Sequence, residues 1–226
     1  MWSSAVINML VKNTGLTLYM TLVSTVFAYI LGLPMGIALV VTAKEGLRPN
    51  KVIYKVLDII VNVVRSVPFL ILLILVIPLT RAIVGKAYGP TATIVPLVLA
   101  AAPFIARMVE SSLLEVDKGV IEAAQSMGAT GLQVVCRVMI PESVPSLISN
   151  FTLAVTTVLG YSAMSGVIGG GGLGTIAYNY GYIRYKTLVM LFAVVFLVAL
   201  VQVLQTAGNA LAKKCDRRRR DGKGRA

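Results

Sequence analysis

The 226-residue sequence contains no histidine, and only nine of its residues are acidic and two are cysteines. Without histidine the chain cannot build a Ser-His-Asp triad, a Cys-His pair or a His-ligated metal site. Cys136 and Cys215 do not form a metal-ligand spacing, so we expect both to be free thiols. These absences argue against catalysis, and we predict neither a metal nor a cofactor.

Apolar residues dominate the chain: 57% of it is hydrophobic and 13% is charged, which is far outside the range of a cytosolic domain. Crossing a bilayer takes roughly 20 mostly apolar residues, and the runs here lack the alternation of barrel strands. The sequence therefore predicts an all-α membrane protein with five transmembrane helices. The predicted spans are residues 14–41, 57–83, 91–109, 144–167 and 188–211, in a single transmembrane domain over 1–212 with a basic tail over 213–226.

Basic residues are distributed unevenly between the two sides of the predicted membrane. Fifteen follow the first span, lie between the third and fourth spans or belong to the tail, whereas five lie on the other side. By the positive-inside rule, this places the N-terminus outside and the C-terminus in the cytoplasm. The net charge of +12 is then explained by membrane flanks and by a tail suited to anionic lipid headgroups, and we expect no nucleic-acid partner.

The segment between the third and fourth spans, residues 117–141, resembles soluble protein and is called the elbow segment below. Gly128 is expected to end its first helix, and Thr130 with Gln133 forms a capping-box signature for a second short helix. Pro141 is predicted to end that second helix. The first helix carries apolar side chains at helical spacing, namely Val120, Ile121, Ala123, Ala124 and Met127.

The pattern of the elbow segment alone leaves several interpretations open. The segment could rest on the bilayer as an interfacial helix, or its face of small residues could dock on a partner. A DNA-binding helix-turn-helix is disfavoured, because Arg137 is the only basic residue on the second helix and phosphate contacts need several.

A family resemblance rests on Glu122, Ala123, Ala124, Gly128, Ile140 and Pro141. In this order the residues resemble the EAA loop of the inner-membrane permeases of binding-protein-dependent ABC importers. The resemblance implies a cytoplasmic coupling helix that docks on a separate ABC ATPase, which hydrolyses the ATP. The interface residues that it implies are Glu122, Ala123, Ala124, Met127 and Gly128.

Further stretches are similar to the methionine branch of that family, namely residues 65–69, 76–78, 102–110, 160–164, 171–174 and 180–182. This likeness implies a homodimer in the bacterial inner membrane, bound to a dimer of the ATPase. It also implies a periplasmic or lipid-anchored methionine-binding protein as the partner that delivers the substrate.

A solute path is expected at a two-fold interface between subunits, because five helices enclose little space. The fourth span provides the candidate lining, in which small residues surround two bulky ones. The unbranched thioether of Met164 is an adaptable apolar plug. Small residues in a membrane helix equally serve close helix packing. The candidate path or gate residues are Tyr161, Ser162, Met164 and Ser165.

Polar side chains recur along one stripe entering the second span, at Lys51, Lys55, Asp58, Asn62 and Arg65. A helix lying on the membrane surface and a stripe facing the bundle interior explain this spacing equally well. Arg65 lies deepest and either has a function or snorkels to the interface.

The rival functions are an ion-coupled secondary amino-acid transporter and a channel. Ion-coupled transporters commonly carry inverted repeats and intramembrane carboxylates, and this sequence has neither. A channel is disfavoured only by the coupling loop.

Overall fold

The computed structural model describes residues 4–215, and within them the chain forms α-helices with short π and 3-10 turns and no strand. Met1–Ser3 and Asp216–Ala226 lie outside the described residues, and most of the predicted basic tail is among them. The helices are α1 (Ser4–Thr42), α2 (Lys51–Ser66), α3 (Phe69–Leu75), α4 (Ile77–Val84), α5 (Pro90–Leu114), α6 (Lys118–Ser126), α7 (Gly131–Val134), α8 (Ile140–Met164), α9 (Gly172–Ile176) and α10 (Thr187–Cys215).

Four helical stretches within the described residues are long and apolar enough to cross a membrane, and a bent pair formed by α2 and α3 makes a fifth if it counts as one span. The prediction of an all-helical membrane protein is therefore confirmed. The predicted spans other than 57–83 fall within the four stretches, which are Val6–Thr42, Pro90–Leu114, Gly131–Ile183 and Thr187–Cys215.

The predicted span over 57–83 is divided among three helices. Helix α2 ends at Ser66, and α3 begins at Phe69. Pro68 explains the break, because proline lacks a backbone N–H and disfavours the helical conformation of the residue before it. Its own ψ of 134° is extended.

The chain divides into two compact units, each built from separate stretches of sequence. The first unit comprises the described residues up to Tyr29 together with Ser66–Ala102 and Ala154–Leu204. The second unit comprises Ile30–Arg65, Pro103–Leu153 and the described residues from Gln205 onward.

The core of the first unit consists of Leu10, Leu173, Ile176 and Ala193. Helix α9 is held against α1 by a hydrogen bond in which the Leu173 N–H donates to Thr17 Oγ1 at 2.9 Å. Gly172 adopts a φ of +74°, and a Cβ there would lie 2.9 Å from Met20 Cε. The position therefore favours glycine for both its backbone conformation and its close contact.

The core of the second unit joins α1, α2 and α5 through Leu39, Val61 and Ala106. Close packing of α1 on α5 depends on Gly36, since a Cβ there would lie 2.6 Å from the Ala106 carbonyl oxygen. The first half of α8 is tied to α5 by Asn150, whose Nδ2 donates to Ser112 Oγ at 2.7 Å.

Candidate functional site

The first helix of the elbow segment, α6, has a defined start and a defined end. Asp117 is its N-cap, and the carboxylate accepts a hydrogen bond from the Gly119 N–H at 2.7 Å. The helix stops at Ser126, and Gly128 follows with a φ of +83°. Because side chains rarely adopt this φ, glycine allows the chain to turn here.

The second helix begins as the sequence predicts but does not stop at Pro141. Thr130 Oγ1 accepts from the Gln133 N–H, and the Gln133 side chain accepts from the Thr130 N–H at 2.8 Å, which confirms the capping box. Helix α7 then continues through a π-helical turn, Val135–Met139, into α8. The predicted stop at Pro141 is therefore wrong. Proline is tolerated in the first turn of a helix, and the preceding turn has π geometry instead of the i→i−4 bonds that proline would break.

The five residues predicted at the coupling interface do not share one face. Ala124 is buried within its own chain, with 5% of its surface exposed, whereas Glu122, Ala123 and Gly128 are exposed. Met127 is 82% exposed, which is unusual for a large apolar side chain. The structure thus gives Ala124 a packing role inside the elbow segment and leaves the other four accessible to a partner.

Two apolar side chains of the elbow segment that the prediction did not assign to the interface are also exposed. Leu132 at the start of α7 is 75% exposed, and Val120 in α6 is 45% exposed. Leu132 was missed because a four-residue helix is too short to show a periodic face. Exposed apolar side chains in a group mark contact surfaces. We call Val120, Met127 and Leu132 the elbow patch.

An ion pair connects α6 to the loop after α1. Lys118 Nζ donates to Glu45 Oε2 at 2.7 Å, and both side chains are largely exposed. The hydrogen bond from Lys118 lowers the pKa of Glu45, and the same bond raises the pKa of Lys118. Surface pairs of this kind contribute little stability, so the bond mainly orients α6.

A cavity of about 380 Å³ lies beside α6 within the second unit. Its walls are mostly apolar and include Val40, Leu113 and Met139, while Glu122 and Gln125 of α6 contribute polar groups. The packing around α6 therefore leaves an open space on one side of this helix.

Arg107 lies inside α5 and not in the loop after the third span, where the charge count placed it. Its guanidinium donates to Glu110 Oε2 at 2.7 Å, to Asn62 Oδ1 at 3.0 Å and to Asp58. Arg107 is therefore internally paired, because an isolated charge in a membrane helix is costly. Two members of the polar stripe of α2, the half-buried Asp58 and the exposed Asn62, thus bind Arg107, and Arg65 is exposed.

The end of α8 separates the four candidate path residues into two environments. Met164 is 53% exposed, and the ring of Tyr161 stacks on Phe69 with ring centroids 4.6 Å apart. Ser162 and Ser165 are 1% and 0% exposed, and their hydroxyl groups donate to backbone carbonyls of the preceding turn.

The two buried serines belong to a tightly packed region of the first unit. A Cβ on Gly174 of α9 would lie 2.7 Å from the Ala163 Cα, so backbones approach closely there. Ser162, Ala163 and Ser165 are therefore packed within this subunit, as the alternative interpretation of the pattern expects. Tyr161 and Met164 are the two that a partner or solute could reach.

No group of three or more potential metal-ligating side chains occurs among residues 4–215. The two free cysteines, Cys136 and Cys215, are both exposed. Among the predicted site residues, the accessible ones thus lie in the elbow segment and on the exposed side of α8.

Comparison with known proteins agrees with these features. A family model described as the binding-protein-dependent transport system inner membrane component matches residues 28–221. The probable D-methionine transport system permease protein MetI of Vibrio cholerae is 46% identical over 217 residues, covering 96% of both chains. The D-methionine transport system permease protein MetI of Escherichia coli is 49% identical over 158 residues, covering 70% of this chain and 73% of that protein.

A solved structure described as inward-facing conformations of the MetNI methionine ABC transporter superposes with a TM-score of 0.94. The two chains are 47% identical, and the match covers 96% of this chain and 100% of the other. These matches confirm the resemblance drawn from the elbow segment and give no support to an ion-coupled transporter. The chain belongs to the family of binding-protein-dependent transport system inner membrane components, and it is a multi-pass permease subunit of such a system.

Proposed function

We propose that this permease subunit imports methionine as a homodimer, with ATP hydrolysed by two copies of a separate ATPase. The observation that carries the proposal is the near-complete match to a methionine ABC transporter, which extends over 96% of the chain at 47% identity. Methionine would be delivered by a binding protein on the outside and would pass between the two subunits by alternating access.

The proposed orientation has the N-terminus outside and the C-terminus in the cytoplasm. It is supported by the excess of basic residues on one side, and the location of Arg107 within α5 removes only one of the fifteen. The elbow segment is then cytoplasmic. A reporter that is active only in the cytoplasm should work when fused after Ala226 and fail when fused before Met1. The reverse result would move the elbow segment outside and exclude its contact with a cytoplasmic ATPase.

The elbow patch is the proposed contact with the ATPase. The side chains of the patch are apolar and exposed. The capped ends of α6 and α7 and the Glu45–Lys118 pair hold the two helices in place. The cavity beside α6 leaves space for the displacement that must reach the membrane helices when nucleotide binds. Glu122, Ala123 and Gly128 border the contact, and Ala124 supports it from inside.

The gate of the path is proposed to consist of Met164, with Tyr161 beside it. Met164 is exposed in the single subunit, so two copies of α8 could bring their thioethers together across a two-fold axis. An apolar constriction of this kind closes by excluding water. Ser162 and Ser165 are buried within this subunit and donate to backbone carbonyls of their own turns, so they support the gate from inside.

The permease role is tested by mass spectrometry of the complex after gentle extraction. We expect a mass equal to two copies of this chain with two copies of an ATPase. A stable species without any ATPase, under conditions that preserve a known ABC importer, would contradict the proposal. Binding of methionine to the copurified binding protein then tests the substrate separately.

A further inference from the structure

Helix α2 presents three different faces within the second unit. One face is turned to the protein, where Val61 is fully buried and Tyr54 and Leu57 pack on the same core cluster. Asp58 lies at the border of this face and binds Arg107 of α5. These contacts fix the rotation of α2 about its axis.

The second face of α2 is apolar and exposed. Its six members are between 46% and 73% exposed, and they are Val52, Ile53, Val56, Ile59, Ile60 and Val63. At 100° per residue they form one continuous arc on the side away from the polar stripe. Exposing an uninterrupted apolar face of this size to water is unfavourable, so the face must be covered by lipid or by another protein.

The third face of α2 is basic and exposed. Lys51 and Lys55 lie one turn apart on it, and Arg65 follows near the end of the helix. Two more exposed basic side chains, Lys44 and Arg48, precede the helix in the loop after α1. None of these five forms a salt bridge within the part of the chain that the structure describes. Their charge is therefore free to attract an anionic partner.

We propose that α2 lies along the membrane surface, with its apolar face in the acyl chains and its basic face bound to anionic phospholipid headgroups. Its 16 residues are fewer than the roughly 20 that cross a bilayer, and four of them are charged. Opposed apolar and basic faces are typical of interfacial helices. The protein-facing side between them, anchored through Arg107, keeps the apolar and basic faces turned away from the rest of the second unit.

The polar stripe of α2 had two interpretations, a helix lying on the membrane surface and a stripe facing the bundle interior. In the proposed arrangement, different residues of the stripe account for each of them. Asp58 and Asn62 accept hydrogen bonds from Arg107 within the protein, whereas Lys51 and Lys55 bind lipid headgroups. The part of the predicted span 57–83 that precedes Pro68 then lies on the membrane surface. In the competing geometry, α2 crosses the membrane and its basic face lines a water-filled path.

The depth of α2 residues in the membrane distinguishes a helix on the surface from a helix that crosses the bilayer. Nitroxide labels are attached singly to cysteines in the full-length transporter in vesicles, after both native cysteines have been replaced by serine. The labelled positions on α2 are Val52, Val56 and Val63. Eleven residues separate the first from the last, or about 16 Å along a helix axis. The proposal predicts the same shallow depth at all three, whereas a graded depth over about 16 Å would overturn it.

The matched control uses exposed valines of a helix that is long enough to cross the membrane. Three positions in α10 serve this purpose, namely Val194, Val198 and Val203. Their labels should report steadily changing depth. This gradient shows that the measurement resolves depth in the same sample, so equal values on α2 cannot come from a poor calibration.

The anionic headgroups are tested through the charge of Lys51 and Lys55. A bimane on Val52→Cys is quenched by brominated phosphatidylglycerol or by brominated phosphatidylcholine, and the ratio gives the local preference for the anionic lipid. The double variant Lys51→Gln/Lys55→Gln should lower that preference about 25-fold, from roughly five-fold per lysine. Lys51→Arg/Lys55→Arg keeps the charge and should keep the preference. An unchanged ratio in the glutamine variant would overturn the proposed lipid site.

Discussion

Replacing Met127 by aspartate tests the elbow patch without disturbing the fold of the permease. The side chain is 82% exposed, and only the backbone N–H of Met127 takes part in closing α6, by donating to the Ala123 carbonyl at 3.1 Å. Substitution of such an exposed side chain changes the free energy of unfolding by about 0.5 kcal/mol or less. Any larger effect on activity therefore comes from a partner.

The expected magnitude follows from the burial of this side chain by the ATPase. Complete burial of a methionine is worth about 1.5–3 kcal/mol, which corresponds to about 10- to 150-fold in affinity. An aspartate at the same place would also lose the hydration of its carboxylate on binding. The loss of binding free energy therefore exceeds the contribution of apolar burial alone. Met127→Asp should thus weaken ATPase binding by at least about ten-fold per site.

The assay is a titration of purified ATPase onto the permease in vesicles, together with the rate of ATP hydrolysis that depends on transport. Met127→Leu is the matched control, because it keeps an apolar side chain of similar volume and should bind normally. Ala124→Asp should also lose coupling, but through unfolding of α6, since Ala124 is buried. Wild-type affinity of the Met127→Asp variant would show that the elbow patch does not contact the ATPase.

Three more predictions concern other parts of the molecule. Cysteine in place of Met164 should crosslink to its counterpart in the dimer when the path is closed, and less when nucleotide opens it; absence of the crosslink in every nucleotide state would exclude a gate at this residue. Gly36→Ala should destabilise the permease by about 1–3 kcal/mol, because the new Cβ would lie 2.6 Å from a carbonyl oxygen of α5. Gly15→Ala, which meets no atom within 4 Å, should not lower the melting temperature, and an equal loss in both variants would refute this packing. The pKa of Glu45 is lowered in the folded state, so its pair with Lys118 stabilises α6 above the ordinary glutamate pKa, and this contribution disappears as the pH falls through the lowered value. Lys118→Gln should accelerate amide exchange in α6 at neutral pH and make no difference in acid, whereas an equal effect in acid would contradict the ion pair.

The long apolar helices were predictable because a bilayer imposes a simple requirement on length and composition. The segment predicted over 91–109 lies within α5, and the one over 188–211 lies within α10. The capping box at Thr130 was equally predictable, since its hydrogen bonds involve only neighbouring residues. Features that depend on local chemistry or on average hydropathy can be derived from one sequence.

Proline positions were harder to interpret, because the outcome depends on the backbone around them. Pro68 interrupts a segment that hydropathy alone makes continuous, whereas Pro141 lies in a helix that it was expected to end. The π-helical turn before Pro141 accounts for the second case, and no composition rule predicts that turn. Element boundaries at prolines therefore required the structure.

Burial of small residues was the least predictable property. The periodic pattern groups Ala124 with Met127, yet the structure buries the first and exposes the second. Ser162 and Ser165 similarly face their own subunit, although their size also suits a path. Periodicity identifies a face of a helix, but it does not tell whether that face meets its own chain, a partner or lipid.

The central claim is that this subunit imports methionine with energy from ATP. The most direct test measures uptake of labelled methionine into vesicles that contain the permease with its ATPase, with the binding protein outside and ATP inside. We predict accumulation against a gradient that requires ATP and the binding protein and is lost in the Met127→Asp variant. Accumulation driven by a sodium or proton gradient without ATP, or ATP-driven transport that ignores methionine, would contradict the account.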